Sequence, residues 1–159
     1  MDDAMKMQTA RNVFETICGM LREQDYKFRA DPEELKVNFG VRGESFPIDV
    51  VYRVIPDRQL VQITSALAYY IPEDKRDEAA IALTMINWRL LNGSFDFDMS
   101  DGYVQFRICE AYHDSLIGGE VFDYMTHALF YTVDEYNELL FMLGKGMITL
   151  DQLIEKIKE

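Results

Sequence analysis

The chain is predicted to be an α+β protein, an antiparallel twisted sheet with helices packed mainly on one face, and three features predict it. Several segments alternate apolar and polar residues, as strands with one buried face do. The turns joining them are too short for parallel crossovers, so the strands must run antiparallel. Stretches of helical period flank them, with apolar stripes that can cover the sheet. The change of period is sharpest within residues 83–110: Leu83, Ile86, Leu90 and Leu91 fit one helical face. Beyond them Phe95, Phe97 and Met99, then Val104, Phe106 and Ile108, fall on every second position.

The first helix is predicted over about residues 9–24, with Val13, Phe14, Ile17, Met20 and Leu21 on one face. An extended piece at 26–29 leads into the turn Asp31-Pro32-Glu33. In the next run Leu35, Val37, Phe39 and Val41 alternate with Lys36, Asn38, Gly40 and Arg42, a strand with one buried face. Two longer strands, 46–55 and 59–71, meet at Pro56-Asp57-Arg58, where the proline stops the first and presets a turn. The second places Val61, Ile63, Leu67 and Tyr69 on one side, opposite Gln62, Thr64, Ala66 and Ala68.

Pro72 opens a second helix whose first turn holds Glu73 and Asp74, complementing the positive end of its dipole, and which ends near Leu91. Asn92-Gly93 and Ser100-Asp101-Gly102 then frame a hairpin, making Gly93 and Gly102 structural positions. Gly118-Gly119, after Ser115-Leu116-Ile117, starts a third helix reaching about Leu143. Gly144 and Gly146 break it, and a short terminal helix over 149–158 is capped by Thr149 or Asp151. The predicted order is α-β(3–4)-α-β-β-α-α in a single domain spanning 1–159, with a core at 8–145 and a C-terminal helical extension at 147–159.

A chain of 159 residues that is 48% hydrophobic and 13% aromatic has globular composition. No apolar run approaches the roughly 20 residues that span a bilayer, and the start MDDAMKMQ lacks the basic and apolar regions of a secretion signal. Cys18 and Cys109 are too few for a disulfide framework and are predicted to be buried thiols in a reducing cytoplasm. The net charge is −12 and uneven: residues 1–30 balance, 31–109 carry −5, and 110–159 carry −7 without an arginine. That field repels phosphate backbones and anionic lipid, which argues against nucleic-acid and membrane partners and favours basic polypeptide segments or plain solvation.

Catalytic chemistry finds little footing. Of two histidines, His113 follows Cys109 by four positions, but on a strand that spacing separates them by ~13 Å. No Cys-x-x-Cys or His-Glu-x-x-His pattern completes a metal site. Glu120 behind Gly118-Gly119 would repel phosphate. Asp96, Asp98 and Asp101 lack the ligand series of a calcium loop and read as the solvent side of a hairpin. No catalytic residue, metal site or cofactor is predicted. One acidic group stands out: Asp134, Glu135 and Glu138 on the third helix, near Tyr131 and Tyr136, place like charges at i,i+4. Such pairs cost a few tenths of a kcal/mol unless a cation approaches. Tyr131, Asp134, Glu135 and Glu138 are therefore candidates for binding a basic partner segment, with a solvated helix face as the competing reading.

Residues 83–110 resemble the YbjN-type family of small bacterial proteins, described as sensory-transduction regulators. The similar elements are Ile86-Asn87, Gly93-Ser94-Phe95-Asp96-Phe97-Asp98, Asp101-Gly102 and Val104 through Arg107, with weaker similarity around Asp134, Tyr136, Leu140 and Gly144. In element order the resemblance covers roughly 8–145. It implies the fold of the class I type III secretion chaperones: a twisted antiparallel sheet with helices on one side, in small, acidic, dimeric cytoplasmic proteins that hold extended client segments without catalytic residues.

The expected function is thus a non-enzymatic, chaperone-like or regulatory module that binds a protein segment by sheet, groove or acidic helix contacts. The alternative is a small-molecule sensor with an apolar pocket between sheet and helices, lined by Phe95, Phe97, Trp88 or Met85. Asn87, set among Met85, Ile86, Leu90 and Leu91, is expected to hydrogen-bond and tie the helix end to the adjoining strand or loop. A two-fold homodimer is expected through the sheet's open face, where Val51 and Ile55 break the one-sided pattern and Ala66, Ala68 and Tyr70 lie beside them. The competing cover for that patch is the terminal helix, through Leu150, Leu153, Ile154 and Ile157.

Overall fold

Alternation decides the sheet. The computed structural model describes residues 2–113 and 117–158. Its elements are α1 (Asp3–Glu23), β1 (Phe28–Asp31), β2 (Lys36–Arg42), β3 (Pro47–Ile55), β4 (Leu60–Ala66), α2 (Arg76–Arg89), β5 (Ser94–Phe97), β6 (Val104–Ala111), α3 (Gly119–Gly144) and α4 (Leu150–Lys158). The strands form one antiparallel sheet in the order β1-β2-β3-β4-β6-β5. Register carries the inward positions across it: Val37 pairs with Tyr52, Tyr52 with Ile63 and Ile63 with Ile108. All four are buried beneath the helices. The opposite face carries the alternate residues and stays open. The predicted α+β class and one-sided packing are the observed ones.

Helix α3, the longest, is fixed to the sheet by polar contacts as well as by Phe122, Met125, Leu129, Val133 and Leu140. The Tyr52 hydroxyl donates to the Phe122 carbonyl at 2.8 Å and lies 2.9 Å from Thr126 Oγ1. The Tyr69 hydroxyl donates to the Asn137 carbonyl at 2.6 Å. Burial pushes both phenols well above their ordinary range. In α4, Thr149 Oγ1 accepts the Gln152 N–H while Gln152 Oε1 accepts the Thr149 N–H, a capping box. Leu153 and Ile157 of α4 are buried, and the helix packs on α2 and α3. It therefore joins the helical layer, and the reading in which it folds back over the sheet's open patch is corrected.

Boundaries shift where caps and turns outweigh period. Helix α1 starts at Asp3 rather than near Thr9, because the Asp2 carboxylate accepts the Met5 N–H at 2.8 Å. The first strand lies at Phe28–Asp31, slightly beyond the predicted 26–29, and Asp31 Oδ1 receives the N–H groups of Glu33 and Glu34 in the turn that follows. β4 ends at Ala66 rather than 71; beyond it the Leu67 and Ile71 N–H groups reach the Val104 and Gly102 carbonyls without continuing the ladder. Pro72 opens a 3-10 turn, Glu73–Lys75, before the α-helix begins.

Helix α2 ends at Arg89 and Leu90 is extended, so Leu91 leaves the helical face and is fully exposed. Met99 falls in the hairpin turn and is also exposed. Cys18 is buried as expected, but Cys109 is exposed: with Val104, Phe106 and Ile108 turned inward, the register sends it to the open face. Ser115 and Leu116, ahead of α3, lie outside the described residues, as does the terminal Glu159.

Candidate functional site

The hairpin at 92–104 sets one end of the molecule. Asn92-Gly93 turns with φ +79° at Gly93, where a Cβ would lie 2.5 Å from the Phe106 ring. Gly102 takes φ +87°, and a Cβ there would fall into the Ile71 carbonyl. The half-buried Asn87 amide closes this end: its Nδ2 donates to the Phe95 carbonyl at 3.0 Å, and its Oδ1 accepts the Phe95 N–H at 2.8 Å. Because β5 is an edge strand, Asn87 takes the place of a neighbouring strand at Phe95. In the turn, Asp98 accepts from Ser100 Oγ and Ser100 N–H, which hold its carboxyl below the usual range.

Three of the acidic-helix candidates meet in one place. Tyr131, Asp134 and Glu135 line a cleft of about 510 Å³ between α3 and the β2–β3 turn, facing Tyr26, Arg42 and Glu44; Glu138 is exposed farther along α3 and does not line it. Tyr131 is 80% exposed, while the half-buried Tyr26 and Phe130 rings meet at a tilt, 6.0 Å apart, against the edge of the core. Asp134 is only partly free. Its Oδ1 accepts the Glu44 N–H at 2.8 Å, which moors the hairpin turn to the helix. Its long-range partner, 90 positions away, left no local signal in the sequence. Helix α3 carries Glu120, Asp123, Asp134, Glu135 and Glu138 and no lysine or arginine, so the cleft wall is acidic. Arg42 on the opposite rim and His127 on α3 are the basic side chains that line it.

The four residues expected around a sensor pocket are not gathered in one cavity. Phe95 is buried against Phe106 and Tyr136. Met85 and the 89% exposed Trp88 instead line an apolar hollow of about 660 Å³ with Thr84, Asn87 and Ile157, between α2 and α4 rather than between sheet and helices.

On the open sheet face, Val51 and Ile55 are half-buried and Ala66 is exposed; Ala68 and Tyr70 lie beyond the end of β4 rather than on the sheet, both exposed, with Tyr70 against Tyr103 at 6.0 Å. Arg53 stands between Val51 and Ile55, so the apolar positions are interrupted. Among the described residues no cluster of His, Cys, Asp and Glu is placed to hold a metal ion, and no helix is long and apolar enough to cross a membrane. His113 Nδ1 lies 3.0 Å from Gln59 Oε1.

No protein-family model matches the chain, and no curated protein does. Solved structures do. A chain of the ExsC–ExsE complex aligns with a TM-score of 0.60 at 17% identity, over 81% of this chain and 93% of that one. YbjN from E. coli, a proposed transcription regulator, aligns at 0.59 and 12% identity, over 79% and 91%. A chain of the HopA1–SchA chaperone–effector complex aligns at 0.54 and 9% identity, over 87% and 98%. At these identities the likeness is one of fold: the chain has the YbjN-like, secretion-chaperone-like architecture that residues 83–110 suggested.

Proposed function

We propose that this protein is a non-enzymatic, chaperone-like or regulatory module that binds a segment of a partner protein, with the cleft between α3 and the β2–β3 turn as its docking site. The observation that carries this reading is the convergence of the exposed Tyr131 ring with the Asp134 and Glu135 carboxylates on a helix that has five acids, no lysine or arginine, and His127 as its one basic side chain. Such a wall suits a basic segment: its lysine or arginine heads meet carboxylates and its stems lie along aromatic rings. Two of the structures with this fold are complexes with a second protein, which supports the same direction. We place the protein in the cytoplasm on the strength of its two free thiols.

Calorimetric titration with a short peptide alternating lysine and leucine tests the site. Wild type binds it, and Tyr131→Ala with Glu135→Gln weakens binding about tenfold, or ~1.4 kcal/mol. Equal binding by both proteins overturns the assignment. Self-association through two-fold contact of open faces, with Val51, Ile55, Ala66, Ala68 and Tyr70 in contact, belongs to the same proposal. Arg53 must then find an anion in the interface or sit at its rim. Sedimentation of wild type against Val51→Lys with Ile55→Glu tests it, a wild-type monomer refuting it.

A second reading, a small-molecule sensor, draws support from the apolar hollow beside Trp88. Trp88 is the chain's one tryptophan, so its fluorescence reports directly on an apolar ligand there. An emission unchanged by a panel of apolar dyes eliminates that reading.

A further inference from the structure

The charge of this chain is segregated. On the open sheet face the register places Arg29, Lys36, Arg53 and Arg107, while Arg42 at the end of β2 lines the acidic cleft. The acids there are Asp31, Asp49 and Asp96. Bases therefore outnumber acids on this face of a molecule whose net charge is −12. Within it, Lys36 and Arg53 stand directly opposite each other on β2 and β3. Like charges in that cross-strand position destabilise a sheet. Arg107 is neutralised by Asp96 at 3.0 Å, but among the described residues neither Lys36 nor Arg53 makes an ion pair. Asp31, the register partner of Lys36 on its other side, directs its Oδ1 to the Glu33 and Glu34 N–H groups.

These two cations share a shallow hollow of about 270 Å³ with Val51, Gln62, Thr64 and Gln105. The Gln105 amide donates to Asp96. Gln62 and Thr64 make no side-chain hydrogen bond among the described residues, and they line the hollow beside the two cations. We propose that this hollow is an anion site that receives an aspartate or glutamate carboxylate from an acidic segment of a partner polypeptide lying across the open face. A carboxylate between Lys36 and Arg53 converts the repulsive pair into a bridged one, with Arg53 offering its planar fork and Gln62 or Thr64 the further donors. In the next cross-strand row Arg29 flanks the hollow on one side, and Arg107, already paired with Asp96, on the other. Cations spread over neighbouring strands suit carboxylates recurring along an extended chain, which stand ~7 Å apart on one side of it, better than one compact anion.

This site is distinct from the acidic cleft, its partner has the opposite charge, and it competes with the proposed two-fold contact for the surface around Val51. Calorimetry at low salt with a short peptide alternating glutamate and valine tests it, with inorganic phosphate and an oligothymidylate as separate arms. Binding of the peptide alone is expected, weakened about tenfold in Arg53→Gln and more in Arg53→Gln with Lys36→Gln. Because these changes relieve repulsion, both variants should melt no lower than wild type, which keeps lost binding apart from lost folding. Absence of peptide binding overturns the proposal. So does binding undiminished in the double variant, or a preference for phosphate or oligothymidylate. The lysine–leucine peptide should bind the double variant as well as wild type, so the two sites fail or stand separately.

Discussion

Replacing Asn87 with alanine removes two hydrogen bonds at once and leaves both main-chain groups of Phe95 facing the gap. The contacts measure 3.0 Å from Nδ2 to the Phe95 carbonyl and 2.8 Å from the Phe95 N–H to Oδ1. A net hydrogen bond is worth ~1 kcal/mol and a stranded buried group costs ~1–3 kcal/mol, but the site is half-buried and water can reach part of it, so the loss should be about 2–3 kcal/mol. For a chain of this length that corresponds to a melting temperature lower by roughly 5–10 °C. Asn87→Asp separates the two bonds: it keeps an acceptor for the Phe95 N–H and turns a carboxylate oxygen on the Phe95 carbonyl, so it should also destabilise. Urea denaturation gives the free energy, and amide exchange at Phe95 locates it. A loss below about 0.5 kcal/mol, the range of an ordinary surface change, with unchanged exchange at Phe95, would refute the assignment of Asn87 as the edge-strand partner.

Gly102→Ala drives a Cβ into the Ile71 carbonyl from a left-handed backbone and should cost on the order of 3 kcal/mol or more, read as a lower urea midpoint or insoluble expression. Tyr52→Phe loses the bond to Phe122 and should cost about 1–2 kcal/mol at neutral pH. The buried phenols carry a pH signature as well. Their folded values are raised, so their contribution is complete below the unfolded value of about 10 and is lost as pH rises through the folded one. Wild type should therefore weaken above about pH 10, and Tyr52→Phe should weaken less steeply; parallel alkaline curves would count against burial as the cause. Asp134→Ala should cost only about 1 kcal/mol globally while speeding amide exchange at Glu44, and slow exchange there would show that the mooring bond is dispensable.

What the sequence reveals here follows the range of the forces involved. Alternation in β2 and β6 and the stripe on α1 are set by burial of neighbouring residues, so strands, faces and the one-sided sheet could be read from the chain alone. End effects were harder. Asp2 extends α1 by a side-chain cap, and the extended Leu90 takes Leu91 off the helix, both decided by single residues outside the periodic pattern. The candidate sites were partly legible for the same reason. Tyr131, Asp134 and Glu135 could be grouped because helical spacing brings them together. The bond from Asp134 to Glu44 and the facing of Lys36 by Arg53 depend on which distant segments pair, and no local pattern encodes that. The register also places Cys109 on the open side, against the expectation from its apolar neighbours.

The central claim is that a basic protein segment docks between α3 and the β2–β3 turn, and backbone amide chemical shifts test it most directly. Titrating isotopically labelled protein with the lysine–leucine peptide should move the signals of Tyr26, Arg42, Gly43, Glu44, Tyr131 and Glu135 saturably. Those of the hollow around Lys36 and Arg53 should stay in place. Saturable shifts confined to the open sheet face or to the hollow beside Trp88, or no saturable shift anywhere, would contradict it.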